Sequence, residues 1–251
     1  MGRIKLKNQE EIELMRDLGG ILATIVDEVS KLIRIGNSPK DLEKFVIDLC
    51  KKYDVNPSCK GYFGYPGYIC VGINSQSVHC VPSKQKFKFG DIVTVDMVID
   101  SNGWFVDHAR TFIVGETDTR GELLVKVTYD ALFNAIKKAR IGNTIGDIGF
   151  EIEKTVKRHN FNVLRNMVGH GIGRDMHEEP MVPCFGRKKE GIELKEGMVF
   201  TIEPMVVENL PEIITKQDGW STFVKDGGRF AMFEHTIAIT KDGAIVLTKK
   251  N

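Results

Sequence analysis

The sequence repeats itself, and any fold it adopts has to satisfy the same instructions twice. The segment RIGNSPKDLEKFVIDLCKKYDVN, starting at Arg34, lies without a gap on RIGNTIGDIGFEIEKTVKRHNFN, starting at Arg140, an offset of 106 residues. FGDIVTVDMVID, from Phe89 to Asp100, is echoed by EGMVFTIEPMVV, from Glu196 to Val207, at an offset of 107. DHARTFIVG from Asp107 returns as EHTIAITKDG from Glu234 at 127, the second half carrying a longer connection. Three matches in one order describe a duplicated unit of about 110 residues, helix-helix-strand-strand, too long for a solenoid repeat. The copies fall roughly at 10–115 and 125–245. Two such halves most simply build a single α/β (α+β) domain over 1–251, with pseudo-twofold symmetry and helices packed on an antiparallel sheet.

Each half opens on a pair of helices. From Ile12 the apolar positions Ile12, Met15, Leu18, Leu22, Ile25, Val29 and Leu32 recur at three- and four-residue intervals, which predicts an amphipathic helix stopping near Gly36. Ser38, Pro39 and Asp41 supply an N-cap, a first-turn proline and a first-turn acid for a second helix reaching about Tyr53. Thr144 and Asp147 hold the cap and acid positions of the second copy.

The strands of each half carry acids in apolar runs. Between Asp96 and Asp107 the sequence D-S-N-G is a hairpin signal. With Ser101 and Asn102 as the loop, Asp96 faces Asp107 directly. With Asn102 and Gly103 as the loop, the two are diagonal neighbours on one face, and a three-residue loop separates them. The repeat puts Glu203 and Glu234 where Asp96 and Asp107 stand, so a twofold arrangement converges four carboxylates. Two charges about 5 Å apart at an effective dielectric near 20 repel by roughly 3 kcal/mol, and several such pairs rival the whole stability of a domain, about 5–15 kcal/mol. Shared protons would relieve this, as in an acid dyad. Four acids also offer oxygen ligands to two divalent cations held side by side, and that reading is preferred. Any one of these acids alone reads equally well as a solvated hairpin charge.

Histidine supplies the other ligand type. VGHGIGRDMHEEP, from Val168, sets His170 between two glycines that permit close backbone approach, with His177 seven residues on. The glycines make no G-x-G-x-x-G fingerprint and no Walker lysine follows, so a nucleotide site is not indicated.

At this point the chain closely resembles the methionine aminopeptidase family, type I, of the bacterial kind. The likeness runs over nearly the whole sequence, through GYFGYPGYICVGINSQSVHCVP, GDIVTVD, DHARTFIVG, GHGIGRDMHEEP, FTIEPM and FEHT, in family order. It implies the pita-bread fold and five metal ligands at Asp96, Asp107, His170, Glu203 and Glu234. Asp107 and Glu234 would bridge two divalent ions, cobalt, manganese, iron or zinc; Asp96 would chelate one, and His170 with Glu203 would complete the other. Glu203 would shuttle a proton, His177 would stabilise the oxyanion and His79 would contact the scissile amide nitrogen. By itself His79 reads as an ordinary strand histidine. The methionine cup maps to Cys59, Tyr62, Tyr65, Cys70, Met176 and Trp220, each of which alone reads as core. The implied substrates are N-terminal methionines of nascent chains with a small second residue, and the chain's own Met-Gly start fits that description. Three positions depart from the family pattern: Cys80 replaces a glycine, His108 a small residue, and Asp175 adds an acid beside the pocket.

Composition agrees with a soluble cytoplasmic enzyme. Thirty-five Lys plus Arg against 34 Asp plus Glu leave no global field to recruit nucleic acid or an acidic membrane. Five cysteines, odd in number and without a C-x-x-C pair, suit a reducing compartment. No apolar run reaches the roughly 18 residues of a membrane span. A monomer is the expected state, and transient ribosome contact follows only from the implied substrates, because no zinc-finger extension precedes the first helix. Proline-specific peptidases share the ligand set but carry an added N-terminal domain. A type II enzyme carries a helical insertion, whereas only 30 residues separate Glu203 from Glu234. A binding protein that had lost catalysis would lack ligands, and here none is missing.

Overall fold

A computed structural model describes residues 4–250, so the Met1–Gly2 start and its expected processing lie outside the described residues. The first half contains α1 (Gln9–Ser30), α2 (Pro39–Lys52), β1 (Asn56–Pro57), β2 (Cys70–Ile73), β3 (Ile92–Ser101) and β4 (Trp104–Ile113). The second contains α3 (Thr119–Ile136), α4 (Ile145–Lys157), β5 (Asn162–Val163), β6 (Val168–Gly171), β7 (Glu178–Pro183), β8 (Val199–Ile202) and β9 (Met205–Val207). It continues through β10 (Ile213–Thr215), β11 (Thr222–Val224), β12 (Phe230–Met232), β13 (His235–Thr240) and β14 (Gly243–Val246). The strand pairings are antiparallel.

Some local turns and pairings recur at the spacing of the sequence repeat. Gly36 and Gly142 both turn the chain in the left-handed region, at φ 88° and 86°. The next residue in each half closes the preceding helix end: Asn37 Nδ2 donates to the Leu32 carbonyl at 2.8 Å, and Asn143 Nδ2 to the Lys138 carbonyl at 2.9 Å. Asn56 of β1 then pairs with Asp100 of β3, as Asn162 of β5 pairs with Val207 of β9. One apolar core lies chiefly between α1, α2 and the β3–β4 ribbon. The other packs α3 and α4 on β8, β9, β12 and β13.

The first helix departs from its predicted limits at both ends. It starts at Gln9 because Asn8 and Glu11 form a capping box, and it ends at Ser30, short of Gly36, where the chain turns off to let Gly36 N–H bond the Phe87 carbonyl. Ser38 sits at the N-cap of α2, yet its hydroxyl donates to the Asp41 carboxylate and caps no backbone amide. Thr144 does cap α4, in a box with Asp147.

The β3–β4 hairpin resolves the open register. Asn102 and Gly103, at φ 52° and 73°, form the two-residue loop, as a primed turn requires. Asp96 therefore pairs with Ala109, and Asp107 with Val98, which leaves the two acids diagonal on one face. In the second half Pro204 has no N–H to give a ladder, and the corresponding strand is broken between β8 and β9 at Glu203.

Close packing of α1 rests on one residue. A Cβ on Gly19 would lie 2.3 Å from the Leu247 carbonyl oxygen. Helix propensity alone favours alanine by about 1 kcal/mol, but the neighbour is main chain and cannot rotate away. Gly19→Ala is expected to destabilise the fold by about 1–3 kcal/mol, read as a lower midpoint in urea unfolding.

Candidate metal centre

The halves meet where β4 lies against β13. Asp107 N–H donates to Thr236 Oγ1 at 3.0 Å, and that hydroxyl donates back to the Asp107 carbonyl at 2.8 Å. Glu234 N–H donates to the Ala109 carbonyl at 2.9 Å. These bonds fix the backbone beneath two acids from different halves, both buried, at 5% and 2% exposure.

His170 joins them from β6. Its Nδ1 lies 2.9 Å from the Gly171 carbonyl, which can only accept, so Nδ1 carries the proton and Nε2 presents a lone pair. Nε2 stands 3.6 Å from Asp107 Oδ2 and 3.9 Å from Glu203 Oε1. Burial holds the imidazole neutral, its pKa lowered to about 4. Thr201 connects the two: its Oγ1 accepts His170 N–H at 3.0 Å and donates to Glu203 Oε1 at 2.8 Å.

The acids are under electrostatic stress. Burial pushes Asp107 up to about 7, and burial followed by the Asp107 charge raises Asp96, Glu203 and Glu234 well above the usual carboxylate range. Asp107 Oδ1 and Glu234 Oε1 are buried without a hydrogen-bond partner among the described residues. Leaving such oxygens unpaired is costly. Asp107, His170 and Glu234 offer ligand atoms that all lie within 4.8 Å of one another. Orphaned carboxylate oxygens beside an unprotonated imidazole nitrogen fit a divalent cation.

A cavity of about 530 Å³ opens over this floor, and every residue singled out from the sequence as a ligand, catalytic group or cup position lines it. Cys59, Tyr65 and Met176 pack with Val98 in an apolar cluster, against which Tyr62, Cys70 and Trp220 lie. The Tyr65 ring meets Trp220 edge-on at 5.3 Å, while its hydroxyl is spent on the Ile69 and Cys80 carbonyls. His177 faces His170 at 4.1 Å between ring centroids, and its Nδ1 lies 2.7 Å from Tyr62 Oη. His79 occupies a bend with φ 56° at the rim, where the residue pattern alone indicated a strand.

Phe63, Val78, Val98, Asn166, Met167, Val168 and Met205 also line the cavity and had no site role in the sequence reading. Val98 had a signal, since it lies two residues beyond Asp96 on the same strand face. The three departures lie off the cavity. Cys80 Sγ contacts the Thr222 carbonyl at 3.3 Å, and Asp175, exposed, pairs with Lys5 at 2.8 Å. His108 points to the opposite sheet face, where it stacks on His235 at 4.7 Å and its Nδ1 meets the Glu234 carbonyl at 2.5 Å.

The chain is similar over nearly its whole length to known proteins. Residues 13–241 match metallopeptidase family M24. A methionine aminopeptidase of Clostridium perfringens is 40% identical over 245 residues, 98% of either chain. The crystal structure of methionine aminopeptidase from Thermotoga maritima matches with a TM-score of 0.97 at 45% identity, covering 99% of this chain and 100% of that one. Prolidase from Pyrococcus furiosus matches at TM-score 0.79 and 24% identity, across 98% of this chain and 66% of its own, a likeness of fold alone.

Proposed function

The chain belongs to metallopeptidase family M24, and on that premise we propose that it is a methionine aminopeptidase on the pita-bread fold. It removes the initiator methionine from nascent proteins and peptides whose second residue is small. One observation carries the reading: acids from both halves and an unprotonated imidazole nitrogen share the floor of a cavity with an apolar cup.

Two divalent cations held there would supply Lewis acidity, making water nucleophilic at neutral pH and polarising the scissile carbonyl. Asp107 and Glu234 would serve both ions, Asp96 would complete one site, and His170 with Glu203 would complete the other. Iron, manganese, cobalt and zinc all suit this donor set. Glu203, its pKa raised by burial, takes the proton of the attacking water and returns it to the leaving amine. With Tyr62 Oη, 2.7 Å away, donating to His177 Nδ1, Nε2–H would be free to donate to the oxyanion. His79 contacts the scissile nitrogen from the rim. Cys59, Tyr62, Tyr65, Cys70, Met176 and Trp220 receive the methionine side chain in soft, polarisable surroundings. The cytoplasm is the compartment that suits five free thiols. No helix among the described residues is long and apolar enough to cross a membrane.

Purified protein loaded with each of the four metals is expected to release methionine from Met-Ala-Ser, much more slowly from Met-Leu-Ser, and not at all in excess chelator. Failure to cleave Met-Ala-Ser with any of them would overturn the proposal.

A further inference from the structure

The ion pair best shielded from water among the described residues is not in the metal centre. Lys7 Nζ lies 2.6 Å from Glu178 Oε2, with the two side chains 3% and 4% exposed. Burying a charge pair costs desolvation that the pairing rarely recovers with profit, so stability alone does not account for it. Glu178 directly follows His177. Its other oxygen, Oε1, accepts the backbone N–H groups of Arg174 at 2.9 Å and Asp175 at 3.3 Å. One carboxylate thus gathers the turn that delivers Met176 to the methionine cup and His177 to the reacting carbonyl.

The arm bringing Lys7 is itself fixed. Lys7 N–H donates to the Gly197 carbonyl at 2.7 Å, and Lys7 Nζ also donates to the Lys5 carbonyl at 3.0 Å. Two glycines make room for it. A Cβ on Gly173 would stand 2.4 Å from Lys7 Cε, and one on Gly197, at φ 84°, 2.6 Å from the Lys7 carbonyl oxygen. The far side of the turn rests on the β3–β4 hairpin, where Phe105 N–H donates to the Gly173 carbonyl and Arg174 stacks 3.8 Å over Trp104. The hairpin that carries Asp96 and Asp107 is therefore joined to the turn that carries His177.

We propose that Lys7 is a positioning residue for His177: by neutralising Glu178 it lets that carboxylate hold the 174–178 turn in the geometry that aims the imidazole. The inference rests on His177 acting as the oxyanion donor in the reading above. Lys7→Met keeps the aliphatic stem and removes the charge. It is expected to lower kcat on Met-Ala-Ser about tenfold, with KM within about twofold, as a misaimed catalytic group does. Lys7→Arg retains most of the rate. The pair Lys7→Met/Glu178→Gln, which buries no charge, recovers activity above the single variant. In a His177→Ala background, Lys7→Met causes no further loss of kcat. In metal-free protein, hydrogen exchange at the Arg174 and Asp175 amides is faster in Lys7→Met than in the parent. Equal losses with and without His177, unchanged exchange at those amides, or an unaffected kcat would each overturn the proposal. A parent enzyme that releases no methionine would instead sink the functional reading itself.

Discussion

Glu203→Gln is expected to lower kcat for methionine release by about 10³-fold, within the range that removal of a general acid–base group produces. The side chain keeps its volume, and its amide oxygen still accepts from Thr201 Oγ1, the bond that now measures 2.8 Å. What it loses is the ability to hold a proton between attack and departure. In the metal-free fold, burial and the neighbouring Asp107 charge already raise the Glu203 pKa above that of a surface glutamate. An amide oxygen is also a weaker metal ligand, so the rates must be compared at saturating metal with bound ions counted by elemental analysis. Under that control, a variant retaining a tenth of the parent rate would remove Glu203 from the proton path. Asp107→Asn separates the two roles. It is expected to fail by losing metal, because the neutral amide that replaces this carboxylate, whose Oδ1 has no partner among the described residues, would be too weak a ligand to hold the ions.

The duplicated segments made the acids legible as a set, because repeat position does not depend on knowing the fold. The hairpin register was not legible. It turned on whether Asn102 and Gly103 both adopt positive φ, and the sequence D-S-N-G permits more than one loop. His170 and Glu203 were found as types, while the hydroxyl that ties them, Thr201, was not. A threonine two residues before an acid on a strand shares its face, yet nothing in one sequence says that the neighbouring strand will offer His170 N–H to it. Asp175, read as an added acid beside the pocket, is swung outward by the turn to Lys5. Sequence proximity misleads wherever a tight turn reverses side-chain direction. Lys7 was invisible for the opposite reason, since its partner is 171 residues away.

Without metal, the protein is expected to lose stability as pH rises from about 6.5 to 8.5, and with metal it is not. The acids set the sign. Asp107, at about 7, and Asp96, Glu203 and Glu234, all raised, titrate higher in the fold than in the unfolded chain, where carboxylates lie near 4. Stability contributed by groups raised in this way is fully present below the unfolded value and lost as pH climbs through the folded one. The histidines oppose this at lower pH. His108 and His170 are held down to about 4 and His177 to about 3, and His79 and His235 are lowered too, burial being the first cause in each, so the unfolded chain gains protons below its value near 6.5 that the fold does not take up. Between about 4 and 6.5 the two sets largely cancel, and above 6.5 the carboxylates act alone. Divalent ions replace the protons at the acids, so their stabilising increment grows with pH. At a hundredfold excess over Kd that increment is about 2.7 kcal/mol, a rise in Tm of about 5–10 °C for a chain of this size. Thermal melts with and without manganese at pH 6.5 and 8.5 test it: equal increments at both values would mean that these carboxylates are not where the metal binds. Asp107→Asn should then be more stable than the metal-free parent at pH 8.5 while releasing no methionine, because the charge that strains the empty fold is the one the reaction requires.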